Sequence, residues 1–409
     1  MTLEILPSRA RGRVSAPPSK SMAHRLLICA AFADGVSTVR GLSDCEDVRA
    51  TLDCLSELGI VYTLSGDVAT VHGQNPRTMQ PKAPLSCRES GSTLRFLLPI
   101  GWLIGKDVTF LGAPTLLSRP MDVYETLARE RGLRFERGEG SITVGGRLTA
   151  GEYEVAGNIS SQFISGLLFA LSTLGEESRI KIHTAIESRS YILLTMRALA
   201  SFGVTVAWEN EHTLYLKGGQ RLTATDVTVE GDYSGAAFLD ALGVLGGEVE
   251  TEGLLQNSLQ GDAIYKKYFA MLSLGVPTLH IGDCPDLGPI LFAVAAAKHG
   301  GVFSGTRRLK IKESDRAAAM AEELYKFGVS VNVYDDTVVV YPADFHRPTE
   351  ILRGHNDHRI VMALATLCTL TGGVIEGCEA VAKSFPDFFE KIKTLGVKVV
   401  PYSERKQEL

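Results

Sequence analysis

Ser19-Lys20-Ser21-Met22-Ala23-His24-Arg25 follows the stiff pair Pro17-Pro18 and opens an apolar run, Leu26-Leu27-Ile28-Cys29-Ala30-Ala31-Phe32-Ala33, which stops at Asp34-Gly35. Prolines before and a glycine after bound a helix. The first turn of this helix is unusual. A helix amino terminus carries partial positive charge, so a cation there costs about 0.3–1 kcal/mol unless something compensates. Lys20 and Arg25 nevertheless stand in or beside that turn with Ser21, and Ser21 and Arg25, four residues apart, share one face. Exposed N–H groups, a hydroxyl and two cations suit an anion such as phosphate. Taken alone, the stretch is explained equally well as a solvated helix start with a capping serine.

The stretch recurs. Apolar, small-residue helices with a polar start follow at Ser90-Gly91-Ser92-Thr93-Leu94-Arg95, Ser160-Ser161-Gln162-Phe163, Asp232-Tyr233-Ser234-Gly235, Pro285-Asp286-Leu287 and Asn356-Asp357-His358-Arg359. After each comes an amphipathic helix that ends in a glycine before an apolar residue: Gly59-Ile60, Gly132-Leu133, Gly203-Val204, Gly275-Val276, Gly328-Val329 and Gly396-Val397. A glycine after a helix takes the left-handed conformation freely. From polar start to matching glycine the numbering gives between 38 and 42 residues each time. A unit that returns about every 70 residues is a structural repeat.

Short β-type runs lie between these helices, among them Val36–Val39, Val108–Leu111, Ile142–Val144, Ile180–Ile182, Thr213–Leu216, Val227–Val229, Val329–Val333 and Thr337–Val340. They are too short for a doubly wound parallel sheet, so the units read as α+β. Three repeats before residue 229 and three after make two similar halves, with Glu230-Gly231-Asp232 as the crossover. Small residues in the polar-start helices imply close packing at the centre of each half. With their amino ends facing one way, three helix starts per half would line a shared cleft.

A chain of 409 residues implies about two domains. A hydrophobic content of 45% against 22% charge is that of a globular protein, and a net charge of −5 excludes a generally basic nucleic-acid binder. The longest apolar runs are too short to span a bilayer. The amino terminus lacks a basic region followed by an apolar core, so no secretory signal is expected. Seven cysteines without a C-x-x-C predict a reduced, cytoplasmic protein without structural zinc. Lys20-Ser21 imitates the end of an ATP loop, but the glycines that would wrap a triphosphate are absent.

Cations recur at helix starts instead: Lys20, Arg25, Arg95, Arg119, Lys312, Arg316, Arg359 and Lys383. The dipole disfavours this pattern and an anion-binding role explains it. Arginine favours bidentate carboxylate or phosphate contacts, and lysine acts as a point charge. Seven or eight such groups suit ligands carrying two phosphates and two carboxylates. Two acids, Asp286 and Glu313, stand among them and could move protons at a charged substrate, although each could equally be a structural ion pair. Ser160, Asp315 and Asp357 have helix-cap explanations, and one histidine, His358, does not make an acid/base site.

Lys20-Ser21-x-x-x-Arg25, Gly91-x-x-x-Arg95, Arg119-Pro120, Ser160-Ser161-Gln162, Pro285-Asp286, Lys312-Glu313-Ser314-Asp315-Arg316, Asp357-His358-Arg359 and Lys383-Ser384-Phe385-Pro386-Asp387 stand in the order of, and together resemble, the 5-enolpyruvylshikimate-3-phosphate synthase branch of the enolpyruvyl transferase family. The resemblance implies two domains of three β-α-β-α-β-β repeats each, helices at the centre, an inside-out α/β barrel. It assigns residues 14–229 to the first domain and 1–13 with 230–409 to the second, and puts the active site in the cleft between them. It implies transfer of the enolpyruvyl group of phosphoenolpyruvate to the 5-hydroxyl of shikimate 3-phosphate, by addition and then elimination through a tetrahedral intermediate. Shikimate 3-phosphate contacts carry over to Lys20, Ser21, Arg25, Ser160, Ser161, Gln162, Ser188, Tyr191, Asp286 and Lys312. Phosphoenolpyruvate contacts carry over to Lys20, Gly91, Arg119, Gln162, Arg316, Arg359 and Lys383, a site that the inhibitor glyphosate occupies in this family. Asp286, Glu313 and Lys20 are the implied proton movers. No metal or organic cofactor, no nucleic acid and no membrane partner is implied, and a monomer is expected.

The chain departs from the family pattern at Glu89-Ser90-Gly91-Ser92, where Asn-Ala-Gly-Thr is common, and at Arg308, where many relatives carry Asn. A sister enzyme that acts on UDP-N-acetylglucosamine carries a Cys before its Arg-Pro and an Asn after its first Lys. Here Ala113–Ser118 holds no Cys and Ser21 follows Lys20. A non-catalytic anion-binding module on the same scaffold is the other rival, and the presence of both Glu313 and Lys383 speaks against it.

Overall fold

The computed structural model describes residues 1–403. The chain forms two compact units, one from Pro18–Glu230 and one from Met1–Pro17 with the chain from Gly231 onward. In the first, helices Lys20–Phe32, Gly91–Ile104 and Ser161–Leu171 are buried on nearly every side; only Gln162 of the third is not buried. A helix apolar all round belongs inside. Helices Glu46–Glu57, Asp122–Arg131 and Arg189–Ser201 bury one face and form the outer layer.

Helices Gly91–Ile104 and Ser161–Leu171 each link two parallel strands, a connection that needs a crossover. Leu85–Ser86 runs parallel to Val108–Leu111, which pairs antiparallel with Ser141–Gly145, and that strand with Arg134–Gly138. The same order recurs in Glu152–Val155, Ser178–Ile182, Thr213–Leu216 and Val206–Asn210. The first sheet borrows its leading strand from the far end of the unit, where Asp226–Thr228 pairs with Gly35–Arg40.

The inner helices cross closely. A Cβ on Gly166 would lie 2.3 Å from Arg95 O and 2.3 Å from Tyr124 Oη, so only glycine permits this approach. Tyr124 Oη donates to Arg95 O at 2.7 Å, and its ring meets Trp102 and Phe163 edge-on. The fully buried Trp102 donates its Nε1–H to Arg134 O at 3.0 Å.

In the second unit the inner helices are Tyr233–Val244, Gly288–Ala297 and His358–Thr371. Two of its sheets repeat the four-stranded order. One comprises Thr278–His280, Gly301–Ser304, Thr337–Val340 and Val331–Val333. The other comprises Leu352–Arg353, Gly373–Glu376, Leu3–Leu6 and Lys398–Pro401, so the amino-terminal strand lies inside the last sheet.

The fourth repeat corrects the expectation of six equal units. Its sheet has two strands, Arg11–Ser15 and Glu248–Glu252. Only Gly275, Val276 and Pro277 separate helix Tyr265–Leu274 from strand Thr278–His280, too few residues for a hairpin. Gly275 is correspondingly extended at φ 169°, whereas its five counterparts have positive φ in the left-handed region. The domain boundary also moves: Val14 and Ser15 pair with the second unit, so residues 14–17 belong there and Glu230 to the first. Among the described residues no helix is long and apolar enough to cross a membrane.

Candidate active site

In the first unit Ser19 caps the opening helix, its Oγ accepting from Met22 N–H. Lys20 Nζ donates to Asp47 Oδ2 at 2.7 Å. Arg25 is buried and held by neutral oxygens: Nε donates to Thr195 Oγ1 at 2.8 Å, Nη1 to Ser21 O at 2.5 Å and Nη2 to Tyr191 O at 3.0 Å. Its guanidinium lies over Phe96, 4.9 Å from the ring centroid. Burial pushes the Arg25 guanidinium down to about 10. None of the three oxygens to which Arg25 donates carries a charge. Ser188 stands in the left-handed region at φ 56° just before helix Arg189–Ser201, and its carbonyl accepts from Tyr191 N–H.

Gln162 organises a second group. Its Oε1 accepts from Arg95 Nη1 at 2.8 Å and its Nε2 donates to Ser92 Oγ at 3.0 Å. Ser160 Oγ, the cap, accepts from Gln162 N–H, and Ser161 is the buried first residue of the helix. Arg119 joins them: a Cβ on Gly91 would lie 3.1 Å from Arg119 Nη1, 3.5 Å from Arg95 Nη1 and 3.6 Å from Gln162 Oε1. Arg119 Nε and Nη2 are buried without a hydrogen-bond partner. Buried guanidinium N–H groups without acceptors are costly, and an anion would satisfy them.

Asp47, Thr195 and His24 were not assigned from sequence. His24 Nδ1 lies 2.7 Å from Thr51 Oγ1, and burial, with Lys20 and Arg25 beside it, holds the ring well below its usual pKa and so neutral. Thr51 continues through Thr93 to the cap Ser90, and Thr93 Oγ1 also meets Asp47 O. This hydroxyl chain ties the Lys20 helix to the helix that begins at Gly91.

In the second unit Asp286 lies in the turn Pro285–Leu287 that leads into an inner helix. Three cations meet it: Arg316 Nη1 at 2.8 Å and Lys312 Nζ at 3.3 Å on Oδ1, and Arg359 Nη2 at 3.2 Å on Oδ2. Asp357 caps helix His358–Thr371. Its Oδ2 accepts from Arg316 Nε and Ser314 Oγ, and its Oδ1 from Arg359 N–H and Arg316 Nη2. Glu313 Oε2 lies 2.9 Å from His358 Nδ1 and 3.9 Å from Lys383 Nζ. Lys383 Nζ donates to Asn356 O at 2.6 Å. Arg359 Nε is buried without a partner.

Burial pushes the Lys312 ammonium down to about 8, with Arg308 and Arg316 adding to the fall and Asp286 opposing it. Burial works to raise the Asp357 carboxyl, and Arg316 overrides it and holds the group low. Asp262, also missed from sequence, pairs with Ser234 Oγ; burial and then Asp286 push its carboxyl up to about 6. Glu313, Asp357 and His358 offer donor atoms within 4.8 Å of one another, as a metal site would. However, both Asp357 oxygens already accept N–H groups, and Arg316 and Lys383 flank the cluster. With these cations and N–H groups on its carboxylates, the cluster is an ion-pair network and a poor cage for a divalent cation.

The family model for EPSP synthase (3-phosphoshikimate 1-carboxyvinyltransferase) matches residues 6–392. A 3-phosphoshikimate 1-carboxyvinyltransferase of Clostridium kluyveri is 36% identical over 98% of this chain and 99% of that protein. One of Clostridium novyi is 37% identical over 96% and 97%. Among solved structures, an EPSP synthase of Acinetobacter baumannii superposes with TM-score 0.78 at 24% identity, covering 98% of this chain and 100% of that one. The enolpyruvyl transferase NikO of Streptomyces tendae gives TM-score 0.78 at 16% identity over 98% of each chain. The two structures share the fold; the family match and the near full-length relatives go further, and by them this chain belongs to the EPSP synthase family.

Proposed function

We propose that this chain transfers the enolpyruvyl group of phosphoenolpyruvate to the 5-hydroxyl of shikimate 3-phosphate and releases phosphate, as a step of the shikimate pathway. The observation that carries the reading is its kinship, over nearly the whole chain, with 3-phosphoshikimate 1-carboxyvinyltransferases. The chemistry of the two clusters agrees with it.

The substrates bring phosphates and carboxylates, and the clusters supply the cations to meet them. Lys20, Ser21, Arg25, Ser160, Ser161, Gln162, Ser188, Tyr191, Asp286 and Lys312 serve shikimate 3-phosphate. Lys20, Gly91, Arg119, Gln162, Arg316, Arg359 and Lys383 serve phosphoenolpyruvate. In the addition step the 5-hydroxyl oxygen bonds to C2 of phosphoenolpyruvate, the hydroxyl proton leaves, and the methylene carbon C3 gains a proton. The tetrahedral intermediate then loses a proton from C3 as the C2–phosphate bond breaks, which restores the double bond. Asp286, Glu313 and Lys20 move these protons. Glu313 is suited to exchange because His358 stands in hydrogen-bond contact with it and can share a proton. We further read the protein as a cytoplasmic monomer; all seven cysteines are free and buried.

Phosphate release with shikimate 3-phosphate and phosphoenolpyruvate tests the reading, with UDP-N-acetylglucosamine as the control acceptor. Release only with shikimate 3-phosphate is expected. Release only with the control would overturn it.

A further inference from the structure

Glu323 is a fully buried carboxylate outside both substrate-binding sets. It stands seven residues after Arg316 on helix Arg316–Tyr325, two turns along the same face. Both residues grip one segment. Arg316 holds Asp357 through Nε at 2.8 Å. Glu323 Oε2 accepts from Arg353 N–H at 2.9 Å, and its Oε1 meets His355 Nε2 at 2.9 Å. Lys326 Nζ donates to both Glu323 oxygens, at 3.0 and 2.8 Å, and reaches Ile351 O at 3.2 Å.

The segment held in this way is strained. His355 and Asn356 are consecutive non-glycine residues in the left-handed region, at φ 49° and 50°. Such a backbone persists only where its surroundings fix it. The strained turn also reaches Lys383, because the Asn356 carbonyl accepts from Lys383 Nζ at 2.6 Å. Glu322, Glu323 and His355 also bring donor atoms within 4.8 Å of one another. The Lys326 ammonium already occupies the Glu323 carboxylate, so the cluster is a structural clamp and not a metal site. Burial works against the charge of Glu323, and His355, Lys326 and the Arg353 N–H outweigh it and hold the carboxyl low.

We propose that Glu323 is a positioning residue: through Arg353 and His355 it fixes the His355–Asn356 turn, and through the Asn356 carbonyl it aims the Lys383 ammonium. This rests on the reading that Lys383 binds phosphoenolpyruvate. The experiment is steady-state kinetics on Glu323→Gln, Lys383→Ala and the double variant, with shikimate 3-phosphate affinity measured by calorimetry. Glu323→Gln is expected to raise the KM for phosphoenolpyruvate roughly 10- to 100-fold, the effect of a contact displaced by about 1 Å. The kcat and the shikimate 3-phosphate Kd should stay near native. In the Lys383→Ala background the same change should add almost nothing, because the contact it serves is gone.

A folded Glu323→Gln with native KM overturns the proposal while leaving the site intact, as does a full effect in the Lys383→Ala background. Native KM in Lys383→Ala alone overturns the site reading and the proposal with it. Should Glu323→Gln fail to fold, His355→Asn removes only the ring, since Asn accepts the left-handed backbone. It should raise the phosphoenolpyruvate KM in the same direction, and an unchanged KM would overturn the proposal.

Discussion

Arg25 and Arg316 are both buried arginines, and they are held by opposite means. Arg25 is surrounded by a threonine hydroxyl and two backbone carbonyls, and burial depresses its guanidinium. Arg316 meets Asp286 and Asp357; burial opposes its charge, and the two carboxylates, with Glu313, outweigh burial and raise it. The same contrast runs through the two units. Gln162 and the Pro120 carbonyl hold Arg95, whereas Lys312, Arg316 and Arg359 converge on Asp286. Lys20, a candidate site cation of the first unit, is instead paired with an acid, Asp47. Cations held by neutral oxygens keep their charge for a ligand. Cations paired with carboxylates leave acids in place that can exchange protons. On the proposed reading the cations of both clusters bind substrate, and the second cluster adds the acids Asp286 and Glu313 that exchange protons.

The sharpest way to break this contrast is Glu313→Gln. Glutamine keeps the shape and the contact with His358 but cannot exchange a proton, so kcat should fall by roughly 10²–10⁴ with shikimate 3-phosphate affinity and melting near native. A variant that keeps more than about a tenth of the turnover would make Glu313 a mere ion-pair partner, since it would lie outside that catalytic range.

Arg119→Ala tests the other side. It removes buried N–H groups that find no acceptor within the protein, so folding should lose little. The KM for phosphoenolpyruvate should rise roughly 10- to 100-fold, the worth of a charge-assisted contact of about 1.5–3 kcal/mol. A comparable fall in kcat at saturating substrate would erase the division between the clusters.

A smaller effect is expected from Gly91→Ala. The new Cβ would lie 3.1 Å from Arg119 Nη1, the mobile end of a long side chain, and moving it by a few tenths of an ångström should weaken glyphosate several-fold, up to about tenfold. Competition kinetics on both proteins decide it, and equal inhibition would remove position 91 from the site.

The smallest expected effect is a pH dependence. Lys312 loses its proton as pH rises through about 8, so shikimate 3-phosphate should bind less tightly above that pH. Because the phosphate favours the charged ammonium, binding near pH 9 should take up a proton. Calorimetry in two buffers of different ionisation enthalpy would detect the uptake. Its absence would show that Lys312 does not face the ligand.

The residues legible in the sequence were those that break a local rule. Cations at helix starts contradict the dipole preference, and Lys20, Arg95, Arg316 and Arg359 stood out for that reason. Asp47 did not, because an acid in a first helical turn is ordinary. Thr195 and the carbonyls of Tyr191 and Asn356 carry no signal at all, since every residue has a carbonyl and a buried threonine is common. The shortened fourth repeat was written in Gly275-Val276-Pro277. The glycine at the expected offset imitated its five counterparts, although the three-residue connection behind it leaves no hairpin.

The strand Leu3–Leu6 lies between Gly373–Glu376 and Lys398–Pro401. During synthesis it leaves the ribosome long before either neighbour. That sheet cannot close until Lys398–Pro401 has been made, while every strand of Pro18–Glu230 is available long before. The first unit can therefore complete its core as translation proceeds. The second must wait with an unpaired apolar strand for a closure that joins Leu3–Leu6 to Lys398–Pro401, a slow step that leaves the nascent chain exposed to aggregation.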